Sequence, residues 1–254
     1  MAETSIGSSR LAGRRVVITG GGSGIGATAT ALFVQQGARV AILGRTRSKL
    51  DRVAAATGAI PVAGDVTLEG DVRRAVAQAA DQLGGIDGLV NAAGITWTKL
   101  TEETSLADWQ AMLNIHMTAT FLVCRECIPH LRAAGRASVV NLASVAGLLP
   151  GLSGASYAAA KAGQITFSKA LAAELAPTIR VNALCAGPSD TDLSRPNYEI
   201  MKQAGQWEAF LSKFLLHRVS DPSEIAAALL FLISHESSYI TGVALAADGG
   251  RSLH

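Results

Sequence analysis

Residues 15–37 read RVVITGGGSGIGATATALFVQQG, and few folds can use such a stretch. Arg15 to Thr19 is a β-branched run that suits a buried strand. Seven residues, Gly20 to Gly26, then hold five glycines. They let the backbone turn sharply and let another group approach it closely. Apolar residues at Ala29, Leu32 and Phe33, ending at Gly37, continue as a helix. A strand, a glycine-rich turn and a helix in that order bring the free N–H groups and positive dipole end of the helix to the turn, where a pyrophosphate can sit. A literal G-x-G-x-x-A from Gly22 to Ala27 begins too late in the turn to be the relevant frame.

The same alternation runs through the chain. Strands are expected at Arg39–Leu43, Ile60–Val62, Ile86–Val90, Ala137–Leu142, Ile179–Leu184 and Thr241–Ala246. Helices are expected at Ser48–Ala56, Leu68–Leu83, Thr101–Ala134, Ala155–Ala176 and Ile225–Ser234, the last started by the capping box Asp221-Pro222-Ser223-Glu224. No linker and no internal repeat interrupts them. This predicts a single-domain α/β fold, a Rossmann-type doubly wound parallel sheet of about seven strands with helices on both faces, over residues 12–254. Residues 1–11 are polar, Ser-rich and expected to be loose. Residues 188–217 break the alternation and are expected to form a lid at the strands' C-terminal edge.

The composition narrows the class. The chain is 49% apolar and 17% charged, with a net charge of +2. No basic block suggests a nucleic-acid partner, and no apolar run nears the ~18 residues of a membrane span. The first fifteen residues lack a signal-peptide core. Three cysteines, Cys124, Cys127 and Cys185, fit a reducing cytoplasm rather than a disulfide framework. Cys124 and Cys127 are read as core thiols inside a helix, and no metal site is expected.

The chemistry is expected at Ser144, Tyr157 and Lys161. Tyr157 and Lys161 share a helical face one turn apart, so the ammonium can favour the phenolate and lower the Tyr pKa from its ordinary ~10. Ser144 follows an apolar strand and can face the same point from the sheet. Together with T-G-x-x-x-G-x-G from Thr19 to Gly26, this S…Y-x-x-x-K pattern resembles the short-chain dehydrogenase/reductase family. The resemblance covers residues 12–250, and the last third is similar to the 3-oxoacyl-[acyl-carrier-protein] reductase branch.

That resemblance implies hydride transfer between a nicotinamide and a carbonyl or secondary alcohol, with Tyr157 as general acid or base and Ser144 bonding the substrate oxygen. Lys161 would tune Tyr157 and bond the nicotinamide ribose. Asn114 stands where the family carries a fourth catalytic residue that bends the helix and holds a water; His116, two residues on, is expected to face elsewhere. The cofactor would rest on Gly20, Ser23, Gly24, Ile25 and Gly26, on Asp65 and Val66 at the adenine, on Asn91, Ala92 and Gly94, and on Gly187, Pro188 and Thr191. Ala92 departs from the family's N-N-A-G, and Ala186-Gly187 from its P-G.

The cofactor's type is read at the end of the second strand, where NAD-binding chains usually place an acid for the ribose 2′-hydroxyl. Here Gly44 is followed by Arg45, and no acid occurs between Gly26 and Asp51. NADP(H) is therefore favoured over NAD(H), with Arg45 clamping the 2′-phosphate. Ile95, Trp97, Ser144, Val145, Leu148, Leu149, Trp207 and Phe214 are the expected substrate pocket, mostly apolar. Relatives pair the helices Thr104–Ala134 and Ala155–Ala176 into tetramers, so a homotetramer is expected. The competing reading, a catalytically silent NAD(P)-binding sensor or scaffold of the same fold, would be expected to have lost part of the Asn-Ser-Tyr-Lys set. An epimerase or dehydratase would have a tighter glycine loop and a longer chain.

Overall fold

The computed structural model describes residues 9–149, 151 and 153–253. Seven parallel strands lie among them: β1 (Arg15–Thr19), β2 (Arg39–Gly44), β3 (Ile60–Ala63), β4 (Gly88–Asn91), β5 (Ala137–Ser144), β6 (Ile179–Ala186) and β7 (Ala244–Ala247), in the spatial order β3-β2-β1-β4-β5-β6-β7. The chain passes from β1 outward to β3, then returns to place β4 on the other side of β1. Loops leaving the C-terminal ends of β1 and β4 therefore diverge, which opens a crevice there.

The helices are α1 (Gly24–Gln35), α2 (Arg47–Thr57), α3 (Glu69–Leu83), α4 (Leu106–Leu113), α5 (Ala119–Ala133), α6 (Ala155–Leu175), α7 (Arg195–Gln203), α8 (Trp207–Leu211) and α9 (Pro222–Ile233). A parallel sheet is covered on both faces, so its strands read as unbroken apolar runs. In β1, Val17 packs into a core with α3, α5 and α6 residues such as Val76, Val123 and Leu171. Val16 and Ile18 point the other way, against Phe33 of α1 and Leu229 and Ile233 of α9. The capping box starts α9 as expected: Asp221 accepts from the Ser223 N–H at 2.8 Å, and Glu224 accepts from the Asp221 N–H at 2.9 Å.

Two expectations are corrected. The loose lead was taken to reach residue 11; residues 1–8 lie outside the described residues, but residues 10 and 11 are anchored. Leu11 is fully buried, and its N–H donates to Gln36 O at 2.9 Å. Burying a leucine stabilises by on the order of 2 kcal/mol, enough to pin so short a segment. The long helix expected over Thr101–Ala134 is broken. A short 3-10 turn at Thr101–Glu103 precedes α4, which Ser105 caps by accepting from the Asp108 N–H at 3.1 Å. A π-helical turn, Asn114–Thr118, then separates α4 from α5, with the Ala119 N–H reaching back to Asn114 O.

Both β5 and β6 run two residues beyond their expected ends. Ser144 and Ala186 thus become paired strand termini, which brings Ser144 beside the turn at Gly187.

Candidate active site

A cavity of about 330 Å³ opens at the C-terminal edge of the sheet. Its wall joins the glycine turn (Gly20, Ser23, Gly24, Ile25, Gly26), the loop after β4 (Ala92, Gly94, Ile95), Ser144 and Val145 after β5, Tyr157 and Lys161 of α6, and Gly187, Pro188 and Thr191 after β6. The glycines are there for space. Gly20 has φ +71°, and a Cβ on it would lie 2.8 Å from the Ala93 nitrogen. A Cβ on Gly26 would collide with the Gly20 carbonyl oxygen. The turn and α1 therefore pack backbone to backbone.

That end of the cavity suits an anionic dinucleotide. Ser23 makes no side-chain cap bond and no acid stands in the first turn of α1, so its N–H groups and dipole are left for a ligand. Thr191 lies against Gly24 and bonds Ser194 Oγ at 3.0 Å, which ties the start of the lid to the turn. Arg45 follows β2, at the same sheet edge, because Leu43 pairs with Thr19. Its side chain is 66% exposed and lies 3.9 Å from Asp65, a loose contact. The α2 residue Lys49, not singled out in the sequence, packs its Cβ next to Gly22. Arg47 instead pairs with Asp51 at 2.7 Å, as a solvated helix-start residue does.

Several expected cofactor residues stand back from this cavity. Arg45, Asp65, Val66 and Asn91 are not on its wall. Asp65 holds its own turn, accepting from the N–H and hydroxyl of Thr67 at 2.9 and 2.7 Å. Asn91 is turned into the core on the α5 side: its amide donates to Asn141 Oδ1 of the paired strand at 2.9 Å and to Cys124 Sγ at 3.4 Å. The backbone of the neighbouring Ala92, Ala93 and Gly94 faces the cavity instead.

Lys161 is 4% exposed and donates to Leu142 O at 2.7 Å and to Gln164 Oε1 at 3.0 Å. Its ammonium lies 5.8 Å from the centre of the Tyr157 ring. Burial pushes Lys161 down to about 7. The expectation that Lys161 would pull the Tyr157 pKa down is not met. Burial raises Tyr157, the nearby Ser144 hydroxyl opposes that rise, and Tyr198 adds to it. Burial is the first of these causes, because it disfavours the charged phenolate. Ser144 Oγ accepts from the Ala146 N–H at 3.2 Å.

Asn114 does not reach the cavity. Its side-chain oxygen accepts from Gln110 at 3.1 Å and from Thr118 at 3.5 Å, on the outer side of the helix. Residues two apart on a helix point to nearly opposite sides, and it is His116 that lines the cavity. Its ring meets Tyr157 edge-on, and Nε2 lies 2.8 Å from Ile95 O. That carbonyl can only accept, so Nε2 carries the proton and Nδ1, buried without a partner, is an acceptor. Burial, with the Lys161 charge second, lowers His116 to about 3, so the ring is neutral. The signal was present in the sequence: Met112, Ile115, His116, Ala119 and Val123 form the buried helix face.

The substrate end also differs in detail. Ile95, Ser144 and Val145 are on the wall, but Trp97, Leu148, Leu149, Trp207 and Phe214 are not. Leu148 points out, 40% exposed, and Phe214 is fully buried. Asn197, Tyr198, Met201 and Phe210, within the segment expected to form a lid, line the cavity instead. Trp207 stacks behind Phe210 at 5.6 Å and meets Tyr198 at 5.2 Å, while Phe214 meets Phe210 at 5.2 Å. Trp207 and Phe214 brace the residues that face the cavity. The spacing of Asn197, Tyr198 and Met201 on α7, one helical face, was the readable sign. Cys124 and Cys127 are buried, and burial raises both thiols, Cys124 to about 12, as core residues.

Known proteins resemble this chain over nearly its whole length. Residues 20–252 match the family model described as Enoyl-(Acyl carrier protein) reductase. The chain is 36% identical to the 3-oxoacyl-[acyl-carrier-protein] reductase FabG of Chlamydia pneumoniae, over 94% of this chain and 97% of that protein. It is 37% identical to the 2,5-dichloro-2,5-cyclohexadiene-1,4-diol dehydrogenase LinX of Sphingobium indicum, over 96% and 98%. The crystal structure of gox2181 superposes with a TM-score of 0.92 at 28% identity, covering 96% of this chain and 98% of that one. With its glycine turn, its Ser-Tyr-Lys wall and these full-length matches, the chain belongs to the short-chain dehydrogenase/reductase family, NAD(P)-dependent oxidoreductases that act on alcohol and carbonyl substrates.

Proposed function

We propose that this chain is an NADP(H)-linked reductase of ketones, and in reverse a dehydrogenase of secondary alcohols, in which Tyr157 moves the proton. The observation that carries this reading is the wall shared by Ser144, Tyr157 and Lys161 with the glycine turn at the start of α1. The turn, the loop Ala92–Gly94, Lys161, and Gly187 to Thr191 would hold the dinucleotide. When bound, that cofactor supplies the hydride in reduction and takes it up in oxidation.

Tyr157 gives its phenolic proton to the substrate oxygen in reduction and takes it back in oxidation. A phenol raised by burial keeps that proton at neutral pH, which suits the reducing direction. Ser144 donates to the same oxygen and steadies its charge. Lys161 places a cation beside the phenol, where it favours the phenolate left after transfer.

The substrate end is apolar at Ile95, Val145, Met201 and Phe210, with polar groups at Asn197 and Tyr198. This favours a carbonyl on an apolar or ring body; a 3-oxoacyl thioester fits the likeness to FabG. Arg45 after β2 and Lys49 packed next to Gly22 support NADP(H), since cations near this end of the sheet suit a 2′-phosphate. Exposed Leu106, Trp109 and Phe121 on α4 and α5 support pairing of these helices in a homotetramer, which light scattering would check.

A panel of ketones and secondary alcohols with both nicotinamide cofactors, followed by absorbance, tests the proposal. Turnover of an apolar ketone with NADPH above NADH is expected. Tight cofactor binding with no turnover across the panel would favour the silent sensor.

A further inference from the structure

Lys161 has three N–H donors. Leu142 O takes one and the side chain of Gln164 takes another. Gln164 is 1% exposed and stands off the cavity wall, one helical turn beyond Lys161 on the same face. It is the hub of a buried chain. Its Nε2 donates to Thr120 Oγ1 at 2.9 Å, and the Thr120 hydroxyl donates to His116 O at 2.7 Å. Its own carbonyl accepts from Ser168 Oγ at 2.7 Å, which in turn accepts from Asn141 at 2.8 Å.

The chain fixes its own direction. A backbone carbonyl can only accept, so the one hydrogen of Thr120 is committed to His116 O. Thr120 Oγ1 must then accept from Gln164, and the amide oxygen is left facing Lys161. We infer that Gln164 is the positioning residue of this active site: through Thr120 it locks Lys161 to the π turn carrying His116 and leaves its one remaining N–H for the cavity. The inference deepens the proposed Tyr157–Lys161 chemistry and rests on it for its effect on rate.

Two consequences follow from the groups involved. An amide and a carbonyl are very weak bases, so this chain holds a charge but does not carry protons away, and Lys161 exchanges its proton only through the cavity. The chain also gives the ammonium a neutral acceptor where burial disfavours the charge. The titratable groups around Lys161 are Tyr157 on its own helix, Cys185 on β6 and His116 on the π turn. Burial keeps Cys185 protonated, at about 11, and His116 unprotonated, so a shift near neutral pH reports Lys161.

The test uses the full chain with Gln164→Met, which keeps length and removes the acceptor, Gln164→Glu, which restores an acceptor with charge, and Thr120→Val, which cuts the next link. Lys161 is titrated by its ¹⁵Nζ signal, and kcat, KM and the pH profile are measured. Gln164→Met is expected to move the Lys161 titration to lower pH and to reduce kcat roughly ten- to hundredfold at little-changed cofactor KM. Gln164→Glu is expected to move the titration to higher pH and recover rate, and Thr120→Val to lie between parent and Gln164→Met. A Lys161 titration and pH profile in Gln164→Met that match the parent would overturn the inference. Should that variant fail to fold, an unmoved titration in Gln164→Glu decides against it alone. If the parent shows no turnover but the titration moves, the proposed reaction fails and the positioning role stands.

Discussion

His116 stands edge-on to Tyr157, with ring centroids 5.3 Å apart and planes at 89°. This contact ties the Tyr157 ring to the π turn. The histidine beside it is neutral, buried, and bonded to the Ile95 carbonyl.

The buried histidine makes the fold sensitive to acid. Its folded pKa of about 3 lies below the ~6.5 of an unfolded histidine. Between those values the unfolded chain binds the extra proton, so stability falls as pH is lowered through that window. His116→Asn should lose about 3 kcal/mol less than the parent between pH about 6.5 and 4. Urea unfolding at several pH values checks this, and equal losses would count against the assignment.

Gly94 exists to admit that ring. A Cβ on it would lie 2.6 Å from His116 Cε1. Gly94→Ala should destabilise by about 1–3 kcal/mol, the usual range for overpacking. In a Gly94→Ala, His116→Asn double variant that cost should shrink, since the smaller side chain gives way. Denaturation midpoints of the four proteins in the cycle measure the coupling.

Arg45 sets the cofactor preference in the proposed reading. Removing a charge-assisted contact of about 1.5–3 kcal/mol should lower kcat/KM for NADPH by roughly ten- to a hundredfold in Arg45→Ala. The NADH value should change little. Steady-state kinetics with each cofactor read the ratio, and a parallel fall for both would assign Arg45 to folding or to the shared part of the dinucleotide.

Trp207 acts from behind the cavity wall. It stacks on Phe210 and meets Tyr198 without lining the cavity itself. Trp207→Ala should raise the substrate KM, because Tyr198 and Phe210 lose their support, and leave cofactor binding unchanged. Substrate kinetics beside a fluorescence titration of NADPH separate the two effects.

Much of this arrangement was legible in the sequence, for physical reasons that also mark where legibility ended. Strands buried on both faces must be apolar throughout, so β1, β2, β5 and β6 announced themselves. The glycines from Gly20 to Gly26 could serve only a tight turn against a helix. The spacing of Tyr157 and Lys161 placed both on one face of α6. Partners distant in sequence were hidden. The hold of Leu142 on Lys161 depends on how β5 and α6 pack, and that packing also decides the burial that raises Tyr157. Asn114 drew notice over His116 because a lone polar residue in a helix stands out, while the pattern of buried neighbours decides which of the two side chains faces the cavity. The lid was hardest to read. Its aromatic residues lie close together in sequence, so only the assembled fold separates Tyr198 and Phe210, which face the cavity, from Trp207 and Phe214, which brace them.

Tyr157 is the group proposed to move the proton, and Tyr157→Phe tests that role most directly. The change removes one oxygen and leaves the ring against His116. With NADPH affinity measured by fluorescence and turnover measured on the best ketone, kcat should fall by about 10²–10⁴-fold while cofactor affinity stays within a few-fold of the parent. Turnover near the parent rate in a variant that binds cofactor normally would contradict the account.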